Sequence, residues 1–171
     1  YGTPELYHVF LTVIGDEITE YIPYDFGFRR FEMGQDKIMY LNGKRLMING
    51  VNRHEWNASY GRCVSTEDMN AAMDMFLRNN INAVRTCHYP NTTEFYRLCD
   101  EYGLYVIDET NIESHGAWAP WHDWVVPGDK PEWHDMTVNR GRSMLQRDKN
   151  HACILIWSCG NESWGGCNLF D

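Results

Sequence analysis

The chain has 171 residues, 43% of them apolar and 14% aromatic, enough to bury one core, or one core and a piece of another. Its 24 acidic and 15 basic residues give a formal charge of −9, and the basic residues are scattered without a stripe, which argues against a nucleic-acid partner. No apolar run approaches the ~20 residues of a membrane span and no signal peptide opens the chain, so no membrane association and a cytoplasmic location are expected.

Tyr1 leads straight into a strand pattern, and Asn168 to Asp171 follow a strand end without a stop signal. Both ends read as cut from a longer polypeptide. The six cysteines, Cys63, Cys87, Cys99, Cys153, Cys159 and Cys167, form no C-x-x-C pair. A disulfide framework is possible by count alone, but isolated cysteines inside strand and helix patterns read as small hydrophobes of a reducing compartment.

Residues 6 to 33 read as strands. Leu6, His8, Phe10, Thr12 and Ile14 share one face of an alternating run, Gly15-Asp16 turns the chain, and Ile18 to Tyr24 returns with Pro23 near its end. A third short strand is expected to cover Phe26 to Met33, and the three together resemble the tail of a small β-sandwich. A second hairpin joins Ile38–Leu41 to Arg45–Ile48 through Asn42-Gly43, two residues that tolerate positive φ.

The rhythm then changes to strand and helix in alternation. Met47 to Val51 is an apolar strand ending at Asn52-Arg53-His54-Glu55. A helix starts at Ser65 or Thr66, with Asp68 completing a capping-box arrangement and Met69, Ala72, Met73, Phe76 and Leu77 on one face. Ile81 to Thr86 is the next strand, ending at Cys87-His88-Tyr89-Pro90. Asn91 or Thr92 caps a second helix with Phe95, Leu98, Cys99 and Tyr102 inward and Gly103 as its C-cap. Leu104 to Asp108 is apolar without alternation, as a strand covered on both faces should be. A long loop, 111 to 131, holds Trp118, Trp121 and Trp124 and reads either as a sugar-stacking lid or as an apolar loop packed on a neighbour. A third helix covers about Glu132 to Asp148, and the fourth strand is Ile154 to Ser158, ending at Cys159-Gly160-Asn161-Glu162.

Such alternation predicts parallel strands with right-handed crossovers, and four units make half of a (β/α)8 TIM barrel. A doubly wound sheet is the rival, but no glycine-rich phosphate loop follows the first strand. The predicted division is 1–34 for the last strands of a β-sandwich and 35–171 for the half-barrel.

Every one of the four strands ends in groups able to do chemistry: Arg53-His54-Glu55, Arg85 with His88, Asp108 to His115, and Asn161-Glu162. In a barrel these ends converge on one rim, where barrel active sites lie. Glu162, beside Asn161 and near Trp157 and Trp164, is either a solvated loop glutamate or a partly desolvated carboxyl kept protonated as a general acid. Glu113 and His115, two apart on an extended segment, point the same way. They form either a loop ion pair or, with Glu162, a mixed oxygen and nitrogen site for a divalent cation. His54 and His88 are either satisfied by backbone at strand ends or bind sugar hydroxyls and steady transition-state charge. Arg85 reads as an orienter of carboxylates in the barrel mouth.

The strings Asn42-Gly43-Lys44, Gly50-Val51-Asn52-Arg53-His54-Glu55, Asn82-Ala83-Val84-Arg85, Thr86-Cys87-His88-Tyr89-Pro90, Asp108-Glu109-Thr110-Asn111-Ile112-Glu113-Ser114-His115-Gly116 and Trp157-Ser158-Cys159-Gly160-Asn161-Glu162-Ser163 resemble the family 2 glycoside hydrolases. Asn-Ile-Glu-Ser-His-Gly is similar to the Asn-Ile-Glu-Thr-His-Gly of their β-galactosidase branch. The resemblance implies a retaining β-galactosidase acting on terminal β-D-galactosides. In that reading Glu162 is proton donor and then base, His54 and His88 stabilise the transition state, and Asn161 contacts the sugar. Glu113, His115 and Glu162 would hold Mg2+, and residues 1 to 34 would end an immunoglobulin-like domain. Retention needs a second carboxylate about 5–5.5 Å from the first, which the resemblance assigns to a strand beyond Asp171. The segment 117–131 departs from the branch's pattern in its Trp and Pro content.

The isolated chain is therefore expected to be inactive. It is also expected to self-associate, or to pair with the missing half of the barrel, through the open edges of its first and fourth strands. A non-catalytic carbohydrate-binding or complementation piece, and a β-glucuronidase-like specificity, are the alternatives.

Overall fold

The computed structural model describes residues 4–115, 126–163 and 168. Strands β1 (Tyr7–Ile14) and β2 (Thr19–Phe26) form an antiparallel hairpin paired in register from Tyr7↔Phe26 to Ile14↔Thr19. The side chains of both its faces are exposed almost throughout. The hairpin leads into the rest of the chain at Gly27, where an added Cβ would come within 2.5 Å of the Ala152 side chain. Two residues on, the Arg29 guanidinium donates to the Ile154 carbonyl at 3.1 Å.

The third strand, β3 (Phe31–Met33), is shorter than the sequence suggests and does not join that hairpin. It pairs antiparallel with β4 (Met39–Leu41), which pairs in turn with the two-residue β5 (Lys44–Arg45). Asn42 and Gly43 turn β4 into β5 with φ of 51° and 75°, the left-handed pair expected of this dipeptide.

Residues beyond 49 build a four-stranded parallel sheet in the order β6 (Gly50–Arg53), β7 (Ala83–Thr86), β8 (Tyr105–Glu109) and β9 (Ile154–Ser158). Spatial order equals chain order, as in consecutive staves of a barrel, and β6 and β9 are the edges. Helices α1 (Thr66–Arg78), α2 (Thr93–Tyr102) and α3 (Pro131–Asp148) occupy the crossovers. The half-barrel reading of the sequence describes this architecture.

Local chemistry sets the helix ends. Ser65 accepts from the Asp68 N–H while Asp68 accepts from the Ser65 N–H, a complete capping box. Gly103 ends α2 at φ 72°, donating its N–H to the Cys99 carbonyl. Pro131 opens α3 at a position where its missing N–H costs nothing.

The core lies between the parallel sheet and α1 and α2. Met69, Met73 and Phe76 of α1 and Phe95, Tyr96, Leu98 and Cys99 of α2 pack with Val84, Leu104, Val106 and Ile154. Leu77, expected on the inward face of α1, is 48% exposed. Eight residues after Met69 it has rotated about 80° from that residue around the helix, which carries it past the edge of the buried stripe. Among the described residues no helix is long and apolar enough to cross a membrane.

Candidate active site

Parallel strands present their carboxyl ends on the same side, so the residues after β6, β7, β8 and β9 meet at one rim. At the centre lies Glu109, the last residue of β8, whose carboxylate is fully buried. It accepts from Arg85 Nε at 2.6 Å and Nη2 at 2.9 Å, from Ser158 Oγ at 2.7 Å, and from His88 Nδ1 at 2.8 Å. Burial alone would raise its pKa, but the hydrogen bonds from Arg85, Ser158 and His88 and the Arg85 charge outweigh it and hold the carboxyl below its usual range.

Arg85 carries the network onward. Its Nη2 donates to Asn161 Oδ1 at 2.9 Å, after β9, and Asn161 Nδ2 donates to Glu113 Oε1 at 3.1 Å, after β8. Backbone bridging between Glu113 and Asn161 fixes the same approach, with the Asn161 N–H on the Ile112 carbonyl at 2.9 Å. Gly160 makes this possible. At φ 139°, any Cβ there would lie 2.5 Å from the Ile112 carbonyl oxygen.

Next along the chain, Glu162 pairs with His115, Oε2 to Nδ1, at 2.7 Å. The two side chains are 47% and 62% exposed, so the carboxyl is half-solvated rather than enclosed. Glu162 sits at φ 37°, a left-handed conformation costing a side-chain-bearing residue roughly 1–2 kcal/mol. Trp157 is partly buried against the core, whereas Trp164 and Trp118, Trp121 and Trp124 of the Trp-rich loop lie outside the described residues.

On the other flank His54 and His88 stand ring edge to ring face, centroids 5.2 Å apart, with the Tyr89 hydroxyl 3.4 Å from His54 Nδ1. His54 is exposed and His88 half-buried. Of the two close groups on His88 Nδ1, the carboxylate at 2.8 Å outweighs the guanidinium at 3.3 Å. Nδ1 therefore donates to Glu109.

Residues flanking His54 turn away from this chemistry. Arg53 lies 3.6 Å from Glu55, hydrogen-bonds Asn91, and stacks its guanidinium 4.2 Å over the Phe95 ring. Glu55 is buried and caps α2 from outside, accepting from the Thr92 N–H at 3.1 Å and its hydroxyl at 2.9 Å. Asp108 points to the opposite side of β8 from Glu109, where Tyr96 donates to it at 2.5 Å and Thr86 at 3.2 Å. Burial, with Asp148 facing it, pushes Asp108 up to about 7.

The candidate residues thus assemble as two linked groups. His88, Arg85, Glu109, Asn161 and Glu113 form one hydrogen-bonded chain with His54 against His88, and Glu162 with His115 continues it beside Asn161. Glu109 was not singled out from sequence, although it holds two of the others, Arg85 and His88. Among the described residues, the one trio of His, Cys, Asp or Glu whose donor atoms gather within 4.8 Å is His54, Cys87 and His88.

The sequence of residues 33–171 matches the family described as glycosyl hydrolases family 2, TIM barrel domain. The chain belongs to this family. It is 52% identical to a β-galactosidase of Streptococcus thermophilus over 99% of its own length and 17% of that protein's. It is 50% identical to a β-galactosidase large subunit of Lactobacillus acidophilus over 97% of its length and 27% of that subunit's. The family 2 chain therefore spans less than a third of the curated relatives it matches. A solved β-glucuronidase of Parabacteroides merdae superposes with TM-score 0.77 at 30% identity, over 92% of this chain and 19% of that one.

Proposed function

We propose that the protein to which this family 2 chain belongs is a retaining β-galactosidase hydrolysing terminal β-D-galactosides, with Glu162 as its acid/base. The observation that carries this reading is the continuous line of contacts from His54 through His88, Glu109, Arg85 and Asn161 to Glu113, drawn from the ends of four parallel strands.

Glu162 gives its proton to the departing glycosidic oxygen, and its carboxylate then takes a proton from the water that releases the sugar. The nucleophilic carboxylate comes from a later barrel strand. His54 and His88 bind sugar hydroxyls and stabilise the transition state, with Glu109 fixing the His88 ring, and Asn161 contacts the sugar beside the reacting centre.

Glu113, His115 and Glu162 offer two carboxylates and an imidazole at an exposed rim. The two carboxylates suit Mg2+ and His115 and Glu162 are already side by side, but Glu113, held by Asn161, must move to join them. When bound, the ion supplies fixed positive charge beside the acid/base.

Relatives at about 50% identity carry the β-galactosidase name, which favours galactosides over the glucuronides named for the more distant solved structure. A relative named as a large subunit supports a second subunit in the whole protein, and the unpaired edges of β6 and β9 favour further chain beside this half-barrel. The unpaired, buried thiols of Cys87, Cys99 and Cys153 support a reducing, cytoplasmic location.

The test uses the whole protein carrying Glu162→Ala and an aryl β-galactoside with an activated leaving group. Added azide should raise turnover and yield the β-galactosyl azide. Unchanged activity on substrates with poor leaving groups would refute the role of Glu162. A preference for the matching aryl β-glucuronide would refute the specificity.

A further inference from the structure

We propose that His54, Cys87 and His88 form a second metal site, selective for a thiophilic divalent ion of the zinc type and separate from the rim carboxylates. The donor atoms of the three lie within 4.8 Å of one another. Two imidazoles and one thiolate are a zinc-type set, and three protein ligands leave a fourth position open to water. A tetrahedral ion with bonds of about 2.0–2.3 Å needs its ligands about 3.3–3.7 Å apart. The remaining approach of about 1 Å falls within the rotation of an exposed side chain such as His54.

The surroundings fit a ligand set rather than a chance cluster. Glu109 accepts from His88 Nδ1–H at 2.8 Å and leaves Nε2 to face a metal, the carboxylate–histidine–metal arrangement common at protein metal sites. Arg85, the nearest cation to His88, is held by Glu109 at 2.6 Å and 2.9 Å, so its charge is already balanced. Cys87 is 2% exposed and free, its backbone fixed by N–H bonds to the carbonyls of Arg53 at 3.2 Å and Arg85 at 2.9 Å. On binding, the S–H bond breaks, the sulfur–metal bond forms, and the proton leaves to solvent. Neither Glu113 nor Glu162 belongs to the cluster, and magnesium, which takes oxygen ligands, does not suit it. An ion seated there occupies both histidines, so it inhibits turnover. That consequence, though not the binding, rests on the reading of His54 and His88 as sugar contacts.

The experiment titrates the whole protein with Cd2+ and follows the thiolate-to-metal charge-transfer absorbance. Cys63, Cys159 and Cys167 are replaced by Ser in every sample. One saturable component is expected. Cys87→Ser should remove it, and His54→Ala and His88→Ala should each weaken it by roughly tenfold or more. Survival of the component in Cys87→Ser overturns the proposal. Zinc-edge X-ray absorption on protein with Cys87, His54 and His88 intact gives a check independent of how those variants fold. One sulfur at about 2.3 Å with nitrogen at about 2.0–2.1 Å supports the site, and a shell without sulfur overturns it. Zn2+ inhibition of β-galactoside turnover is read separately. Binding without inhibition leaves the metal site standing and removes the sugar-binding role of the two histidines.

Discussion

Replacing Glu109 by Gln changes neither size nor shape, yet it should cost the protein about 2–4 kcal/mol. One carboxylate oxygen accepts from Arg85 Nε and Ser158, the other from Arg85 Nη2 and His88. Whichever way the Gln amide turns, its NH2 faces a guanidinium N–H, so one charge-assisted bond becomes a donor–donor contact. Ser158 can rotate its hydroxyl and His88 can change tautomer, but Arg85 has no such escape. Breaking a fully buried pair costs about 3–5 kcal/mol. Here Arg85 remains 26% exposed and keeps its bond to Asn161, which lowers the figure. Urea unfolding of the whole protein should show a fall in midpoint with an unchanged slope. The control is Glu101→Gln, which breaks the exposed pair with Arg97 and should cost under about 0.5 kcal/mol. If Glu109→Gln costs no more than the control, Glu109 is not the anchor of the rim.

Gly160→Ala should lower kcat/KM for an aryl β-galactoside on the order of a hundredfold, because the new Cβ at 2.5 Å from the Ile112 carbonyl pushes Asn161 and Glu162 off their positions; steady-state kinetics reads it. Asp108 gives a pH signature. Its folded pKa, raised from 3.8 to about 7 by burial and by Asp148, with Tyr96 and Thr86 donating to it and Arg147 on Asp148, exceeds its unfolded value. Its contribution is thus complete below about pH 4 and is lost as pH rises through about 7. Thermal midpoints should fall across that window in the parent protein, and less steeply in Asp108→Asn.

Much of the fold was legible because its signals are local. Asn42-Gly43, the Ser65–Asp68 box and Gly103 act within a few residues, and each does what its chemistry dictates. The rim was legible because polar groups ended each of four apolar strands. Glu109 was not, because a strand buried on both faces shows no alternation to say which of Asp108 and Glu109 looks into the mouth. Glu55 escaped for another reason: it caps a helix through Thr92, 37 positions away, and nothing in Arg53-His54-Glu55 marks one residue for chemistry and two for scaffolding. Leu77 fell outside the buried stripe through the gradual drift of helical positions, which a list of apolar residues blurs.

The most direct test is a crystal structure of the whole protein with a galactose-configured inhibitor bound. The sugar should rest against His54, His88 and Asn161 with the Glu162 carboxyl at its glycosidic oxygen. A sugar seated away from the ends of β6 to β9, or one whose glycosidic oxygen meets some other acid, would contradict the account.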